Sequence, residues 1–276
     1  MEIGIFAKTF NQPTLDDVLD SVHDHGLKCV QFNMVCAGQP SMPDAIDEAL
    51  VEQIRSGLVE RDIRMEAISG TFNMIHPDVQ VRQDGLRRLG VLARAAKGLG
   101  TGMITLCTGT RDAADMWRGH PENGSAEAWA DLRESMEAAL KIAEEFDVRL
   151  GVEPEVSNVV SSARKARQLL DEMQSPRLKV IMDAANLFQK GDLPRMRGVL
   201  DEAFDLVGGD IGLAHAKDLS RDGEAGHEAA GTGLLDYDRY IWLLRTVGYE
   251  GGLILHGLRE EQVGMSVAFL KKKLGR

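Results

Sequence analysis

Lys179-Val180-Ile181-Met182-Asp183, the helix-like stretch Met196–Val207, and Ile211-Gly212-Leu213-Ala214-His215 decide the fold of this chain. Two short apolar runs flank an amphipathic segment, and each run ends on a side chain that binds metals or protons. Strand, helix and strand in that order require parallel pairing, because the helix carries the chain back across the sheet. The same unit recurs towards both termini. Glu2–Ala7, Cys29–Met34, Ile63–Ser69 and Met103–Thr108 read as strands 1 to 4, Arg149–Glu153 as strand 5 and Leu253–His256 as strand 8. Leu15–His25, Ala45–Arg61, Val79–Leu99, Ala126–Phe146, Ala163–Met173, Tyr237–Val247 and Gln262–Leu274 carry the helical spacing of apolar residues. Eight such units predict an α/β protein, a single-domain TIM-type (β/α)8 barrel over residues 1–276. Gly26, Gly100, Gly102 and Gly248 precede strands and are expected as helix C-caps.

The composition narrows the function. A net charge of −11 argues against a general nucleic-acid or lipid-surface binder, which needs a basic face. Cys29, Cys36 and Cys107 form no CxxC pair and are odd in number, so a reduced, cytoplasmic protein is expected. No basic-then-apolar leader opens the chain, and no apolar run approaches the roughly 20 residues of a membrane span. The expected partner is a small molecule. Self-association is compatible with such a barrel, but no segment marks an interface.

Four strand ends carry the chemistry: Gly-Val-Glu153-Pro-Glu155, Ile-Met-Asp183-Ala-Ala-Asn186, Leu-Ala-His215-Ala-Lys217-Asp218 and Leu-Ile-Leu-His256-Gly. Neighbouring strands lie about 4.8 Å apart, so donors at consecutive strand ends can share one ion. Two carboxylates held together repel unless a cation neutralises them. Glu153, Asp183, His215 and His256 are therefore candidate ligands for a divalent metal. The competing reading is a polar mouth held by hydrogen bonds, for instance Asp183 to His215. Two imidazoles favour Mn²⁺, Zn²⁺, Co²⁺ or Fe²⁺ over Ca²⁺ or Mg²⁺, with Mg²⁺ kept as an alternative. The long loops Val35–Pro43, Gly109–Ser125 and Leu219–Asp236 all fall on the face where barrel enzymes work.

These motifs resemble those of the xylose isomerase-like barrel superfamily, the sugar phosphate isomerase/epimerase group. It includes ketose 3-epimerases, hydroxypyruvate isomerase, inosose dehydratase and endonuclease IV. Glu153-Pro-Glu155 resembles its Glu-Pro ligand segment, Asp183-Ala-Ala-Asn186 its Asp-x-x-His stretch, and His215-Ala-Lys217-Asp218 its His-x-Lys-Asp stretch. Gly231-Thr-Gly233 with Asp236 resembles its Gly-x-Gly followed by an acid. The resemblance implies Glu153, Asp183 and His215 as ligands, and a sugar, sugar phosphate or polyol as substrate. Two positions depart from it. The group commonly ends strand 8 with a Glu that is both ligand and base, where this chain has His256; Asn186 stands where the group often has His. The three-zinc endonuclease chemistry is further off still.

The expected reaction is isomerisation or epimerisation by proton abstraction next to a carbonyl, through an enediolate. Glu153 or Glu155 is the first candidate base and His256 the second. Lys217 is the candidate oxyanion stabiliser, or else the salt-bridge partner of Asp183 or Asp218. An inosose dehydratase-like lyase, and a barrel without catalysis, are the alternatives. Asn33, Asn73, His76, Cys107, Trp117, Asn158 and Asn186 are candidate substrate contacts, since amides and imidazoles both donate and accept. Trp117 reads equally as loop packing. Arg82 and Arg111 read as phosphate ligands or as surface residues, and His23, His25 and His227 as solvent-side.

Overall fold

A computed structural model describes residues 1–276. Its strands are β1 (Glu2–Phe6), β2 (Cys29–Phe32), β3 (Arg64–Ser69), β4 (Met103–Leu106), β5 (Arg149–Val152), β6 (Leu178–Asp183), β7 (Ile211–Ala216) and β8 (Gly252–Leu255). The helices that follow them are α1 (Leu15–Asp24), α2 (Glu48–Glu60), α3 (Val79–Leu99), α4 (Ala126–Glu145), α5 (Ala163–Met173), α6 (Met196–Val207), α7 (Tyr237–Thr246) and α8 (Val263–Leu274). All strands are parallel, and β8 pairs with β1 to close the barrel. The eight expected units are all present. No helix is long and apolar enough to cross a membrane.

The differences lie at element ends, and side-chain caps explain several. Helix α2 starts at Glu48 rather than Ala45 because the Asp47 carboxylate accepts from the Leu50 amide. Strand β2 stops at Phe32 because Asn33 caps the following turn through Val35 N–H. Strand β8 ends one residue before His256. Of the four glycines expected as C-caps, Gly26, Gly100 and Gly248 have φ of 67°, 89° and 73°, while Gly102 is not left-handed.

Strand periodicity positions the site. Seven side chains, Phe6, Cys29, Ala67, Met103, Ile181, Leu213 and Ile254, form an apolar plug inside the barrel. Gly4 and Gly151 leave the room it needs: a Cβ at Gly4 would sit 2.6 Å from Ile254 Cδ1, and one at Gly151 2.9 Å from Ile181 Cγ1. Two residues further along each strand, side chains again point inward. That step runs from Ile181 to Asp183, from Leu213 to His215 and from Ile254 to His256; from Gly151 it reaches Glu153. On the other side of the barrel it runs from Cys29 to Gln31, from Ala67 to Ser69 and from Met103 to Thr105. A polar layer thus lies directly on an apolar one, with the ionisable groups on strands 5 to 8 and the neutral ones on strands 2 to 4.

Candidate metal centre

One donor atom from each of Glu153, Asp183, His215 and His256 lies within 4.8 Å of all the others. His215 Nδ1 is 3.5 Å from Asp183 Oδ2 and 3.7 Å from Glu153 Oε2, and His256 Nδ1 is 3.7 Å from the same Asp183 oxygen. These gaps exceed hydrogen-bond length but match the spacing of donors around one ion. His215 Nδ1 and His256 Nδ1 are buried and have no hydrogen-bond partner, and the buried Asp183 Oδ2 between them meets only the Lys217 ammonium, at 3.1 Å. Buried polar atoms are normally paired, and two unpaired imidazole nitrogens facing one carboxylate oxygen fit a divalent cation. The donor set of two oxygens and two nitrogens suits a transition metal.

Surrounding residues fix three of the four donors. The other oxygen of Asp183 accepts from the Ala185 amide at 3.1 Å. Asn186 Nδ2 donates to Glu153 Oε1 at 2.5 Å, and its own carbonyl accepts from Gly226 N–H at 2.8 Å. Glu153 therefore has one oxygen committed and turns the other to His215. The Tyr240 hydroxyl donates to the carbonyls of Met182 and His215 at 2.8 and 2.9 Å, tying β6 to β7 beside two of the donors. Tyr237 donates to the Lys217 carbonyl at 2.9 Å. Gln31 Oε1 lies 2.8 Å from His215 Nε2, and Gln31 Nε2 donates to Thr105 Oγ1 at 3.3 Å.

Lys217 is buried, with Nζ 3.1 Å from Asp183 Oδ2. Of its two expected partners, Asp183 is the one it meets. Asp218 instead accepts from the amides of Leu219, Gly231 and Leu235, folding the β7–α7 loop around one carboxylate. Burial alone would raise the Asp183 carboxyl, but Lys217 and His215 hold it well below the usual carboxylate range. Burial also works against a charged His215, yet Glu153 and Asp183 outweigh it and lift the ring to about 9. His256 goes the other way: burial, with the cations Lys217 and His215, pushes it down to about 4 against the pull of Asp183. Burial and the Glu153 charge raise Glu155 to about 7. The side chains of Glu153 and His256 stay 18% and 25% exposed, against 0% and 1% for Asp183 and His215, so a ligand approaches from their side.

The other sequence candidates are dispersed. Asn33 donates to Ser41 Oγ, and Asn73 bonds both the carbonyl and the amide of Thr110, so each ties a loop. His76 bridges the Ala113 carbonyl and the Asp78 amide. Asn158 accepts from Gly109 N–H, while its Nδ2 is buried without a partner. Cys107 is closer to the centre. Its thiol donates to the Phe72 carbonyl, and burial, Glu155 and Glu153 push it far above the usual thiol range. Trp117 is exposed. Arg82 and Arg111 both bind Asp131, at 3.2 and 2.6 Å, which commits them to an ion-pair network. His23 is exposed, and His25 and His227 are partly so. Sequence reading did not single out Gln31, Tyr237 or Tyr240. The two-residue step from Cys29 to Gln31 is the signal that finds the first.

The family model of the xylose isomerase-like TIM barrel matches residues 19–273. The chain belongs to this family. No curated protein matches this xylose isomerase-like barrel in sequence. Among solved structures it is similar to the 3-keto-D-glucoside 4-epimerase YcjR from E. coli, with 15% identity, a TM-score of 0.76 and 99% of each chain covered. It is also similar to the IOLI protein with a bound zinc atom, with 15% identity, a TM-score of 0.75, and 99% of this chain and 96% of that one covered. A third is the probable 3-DHS dehydratase AsbF from Bacillus anthracis, with 14% identity, a TM-score of 0.74, and 98% and 99% covered. At these identities the likenesses establish a shared xylose isomerase-like fold and no more.

Proposed function

We propose that this barrel is a metal-dependent isomerase or epimerase of a sugar, sugar phosphate or polyol, acting by proton abstraction next to a carbonyl. The observation that carries this reading is the convergence of Glu153, Asp183, His215 and His256, whose donor atoms lie within 4.8 Å of one another. Mn²⁺, Zn²⁺ or Co²⁺ suits these donors. A divalent ion held there supplies Lewis-acid polarisation of a substrate carbonyl.

The protein groups divide the remaining work. Asn186 occupies one Glu153 oxygen, so Glu153 serves best as a fixed ligand. Glu155 follows Glu153 by two residues and forms no ion pair, which makes it the preferred proton carrier. The Lys217 ammonium, beside Asp183, is placed to stabilise charge developing on a substrate oxygen. Asn33, Asn73, His76, Cys107, Trp117 and Asn158 are left to shape the mouth and its loops, with direct substrate contact open to each.

His256 favours a second reading. Epimerisation that removes and returns a proton on opposite faces of a carbon needs two bases, and strand 8 brings no carboxylate. A lyase that abstracts one proton and expels a hydroxyl needs only one base and one acid, as in a dehydratase. Solvent-deuterium exchange tests the proton abstraction both readings share, and product analysis separates them. Protein purified without chelator should carry a transition metal and exchange carbon-bound hydrogen in members of a ketose and keto-polyol panel. Product analysis then shows either an isomer or a dehydrated enone. Absence of metal in the wild type, with no change in melting temperature on adding Mn²⁺, Zn²⁺ or Co²⁺, overturns the reading.

A further inference from the structure

We propose that Gln31 is the positioning residue of the metal centre, acting across the barrel on His215. The inference rests on the metal reading above and assigns a role to a residue outside the four donors.

An imidazole offers a metal one nitrogen at a time, and the other nitrogen then carries a proton that needs an acceptor. In His215, Nδ1 faces Asp183 and Glu153, and Nε2 points the opposite way, to Gln31 Oε1 at 2.8 Å. The ring is 1% exposed and Gln31 is 4% exposed, so water does not compete for either end. Gln31 stands on β2, three strands from β7 round the closed sheet, and reaches His215 through the interior rather than along the sheet. Its carboxamide is anchored in turn, because Nε2 donates to Thr105 Oγ1 on β4. In the structure the amide nitrogen faces Thr105 and the amide oxygen faces His215. The amide oxygen accepts and does not donate, so it requires the proton on Nε2 and leaves the Nδ1 lone pair aimed at the ion. The plug beneath, with Cys29 and Met103 under Gln31 and Thr105, denies the side chain another place to go.

The neutral half of the polar layer therefore acts on the ionisable half. Gln31 selects which nitrogen of His215 ligates, and Thr105 holds the far end of the Gln31 amide. A purely space-filling Gln31 would tolerate Met, which has a similar volume and no acceptor of comparable strength.

The test uses the full chain. Zn²⁺ and Co²⁺ affinities are measured by titration for wild type, Gln31→Met, Gln31→Glu and Thr105→Val, alongside the visible spectrum of the Co²⁺ protein. Gln31→Met is expected to weaken both metals by about 10- to 100-fold and to change the Co²⁺ spectrum. Gln31→Glu retains the acceptor and is expected to keep affinity at or above the wild-type level. Thr105→Val, which frees the amide to turn, is expected to fall between them. Nitrogen NMR of the Zn²⁺-loaded wild type is expected to show His215 protonated at Nε2 and ligated through Nδ1. Melting of the metal-free variants reports whether each has folded. Unchanged affinity and spectrum in Gln31→Met, or ligation through Nε2, overturns the role of Gln31 while leaving the metal reading intact. A wild type that binds neither metal overturns both. If Gln31→Met does not fold, Gln31→Glu and the NMR assignment decide: loss of affinity in a folded Gln31→Glu counts against the proposal.

Discussion

Asp183 bears more at the residue scale than any other side chain in the mouth. One oxygen holds the Ala185 amide, and the other faces Lys217, His215 and His256. Replacing Asp183 with Ala strips the buried Lys217 of its counter-charge, a change that costs about 3–5 kcal/mol when one partner of a buried pair is removed. The double variant Asp183→Ala, Lys217→Met is expected to recover most of that loss, because no uncompensated charge remains. Urea unfolding of the two singles and the double measures the coupling. Asn186→Ala is milder. It leaves Glu153 Oε1 and the Gly226 amide without their present partner, and about 1–3 kcal/mol is expected, towards the low end because Glu153 is partly wet. The same variant should also bind metal more weakly, which a Co²⁺ titration would detect. Four of these residues were legible in the sequence because each ends an apolar run. Gln31 was not, because an uncharged amide within Cys29-Val-Gln31-Phe carries no chemical signature; the two-residue step from Cys29 puts it on the inner face, and its distance from His215 gives it a role.

The elements around the mouth show where local sequence reading succeeds and where it stops. Helical spacing located every helix, and α3, α5 and α6 begin and end where it places them. Strand ends were less legible, since the last residue of a strand is set by the loop that leaves it. His256 is the example: it continues the apolar run Leu253-Ile-Leu, yet lies just beyond β8, with its amide still bonded to the Ala216 carbonyl. The β7–α7 loop was recognised by its glycines, but its organisation around Asp218 depends on contacts up to 17 residues away. A Cβ at Gly233 would fall 2.4 Å from both Asp218 Oδ1 and the Leu219 carbonyl. Gly233→Ala is therefore expected to open this loop, read as faster limited proteolysis between Leu219 and Asp236 and weaker substrate binding, with far-UV dichroism unchanged. Helix α7 supplies the other brace. Tyr240→Phe removes the hydroxyl shared by the Met182 and His215 carbonyls, and a loss of about 1–3 kcal/mol is expected on thermal unfolding.

For the whole molecule, the barrel is a single closed sheet, so on the proposed metal reading stability and ion binding are expected to be linked. An ion bound only by the folded state adds stability by mass action, about 2.7 kcal/mol when its concentration is 100 times Kd. Chelation is expected to lower the melting temperature of the wild type and to leave that of a Glu153→Gln, His215→Ala double variant unchanged, as scanning calorimetry would show. The eightfold architecture was readable from alternation alone, because only parallel strands with returning helices satisfy it. The division of the polar layer between the two sides of the barrel was not. It arises from closure, which sets residues far apart in sequence on opposite walls of one narrow cavity.

That closure has a consequence for the order of assembly. Gln31 lies on β2 and His256 just past β8, so the walls of one cavity come from distant parts of the chain. Strand β8, which carries the chain to His256, is also the strand that seals against β1. Until β8 docks, Glu153, Asp183 and His215 lie beside an unsealed wall. The four-donor cluster is therefore complete only in the closed barrel.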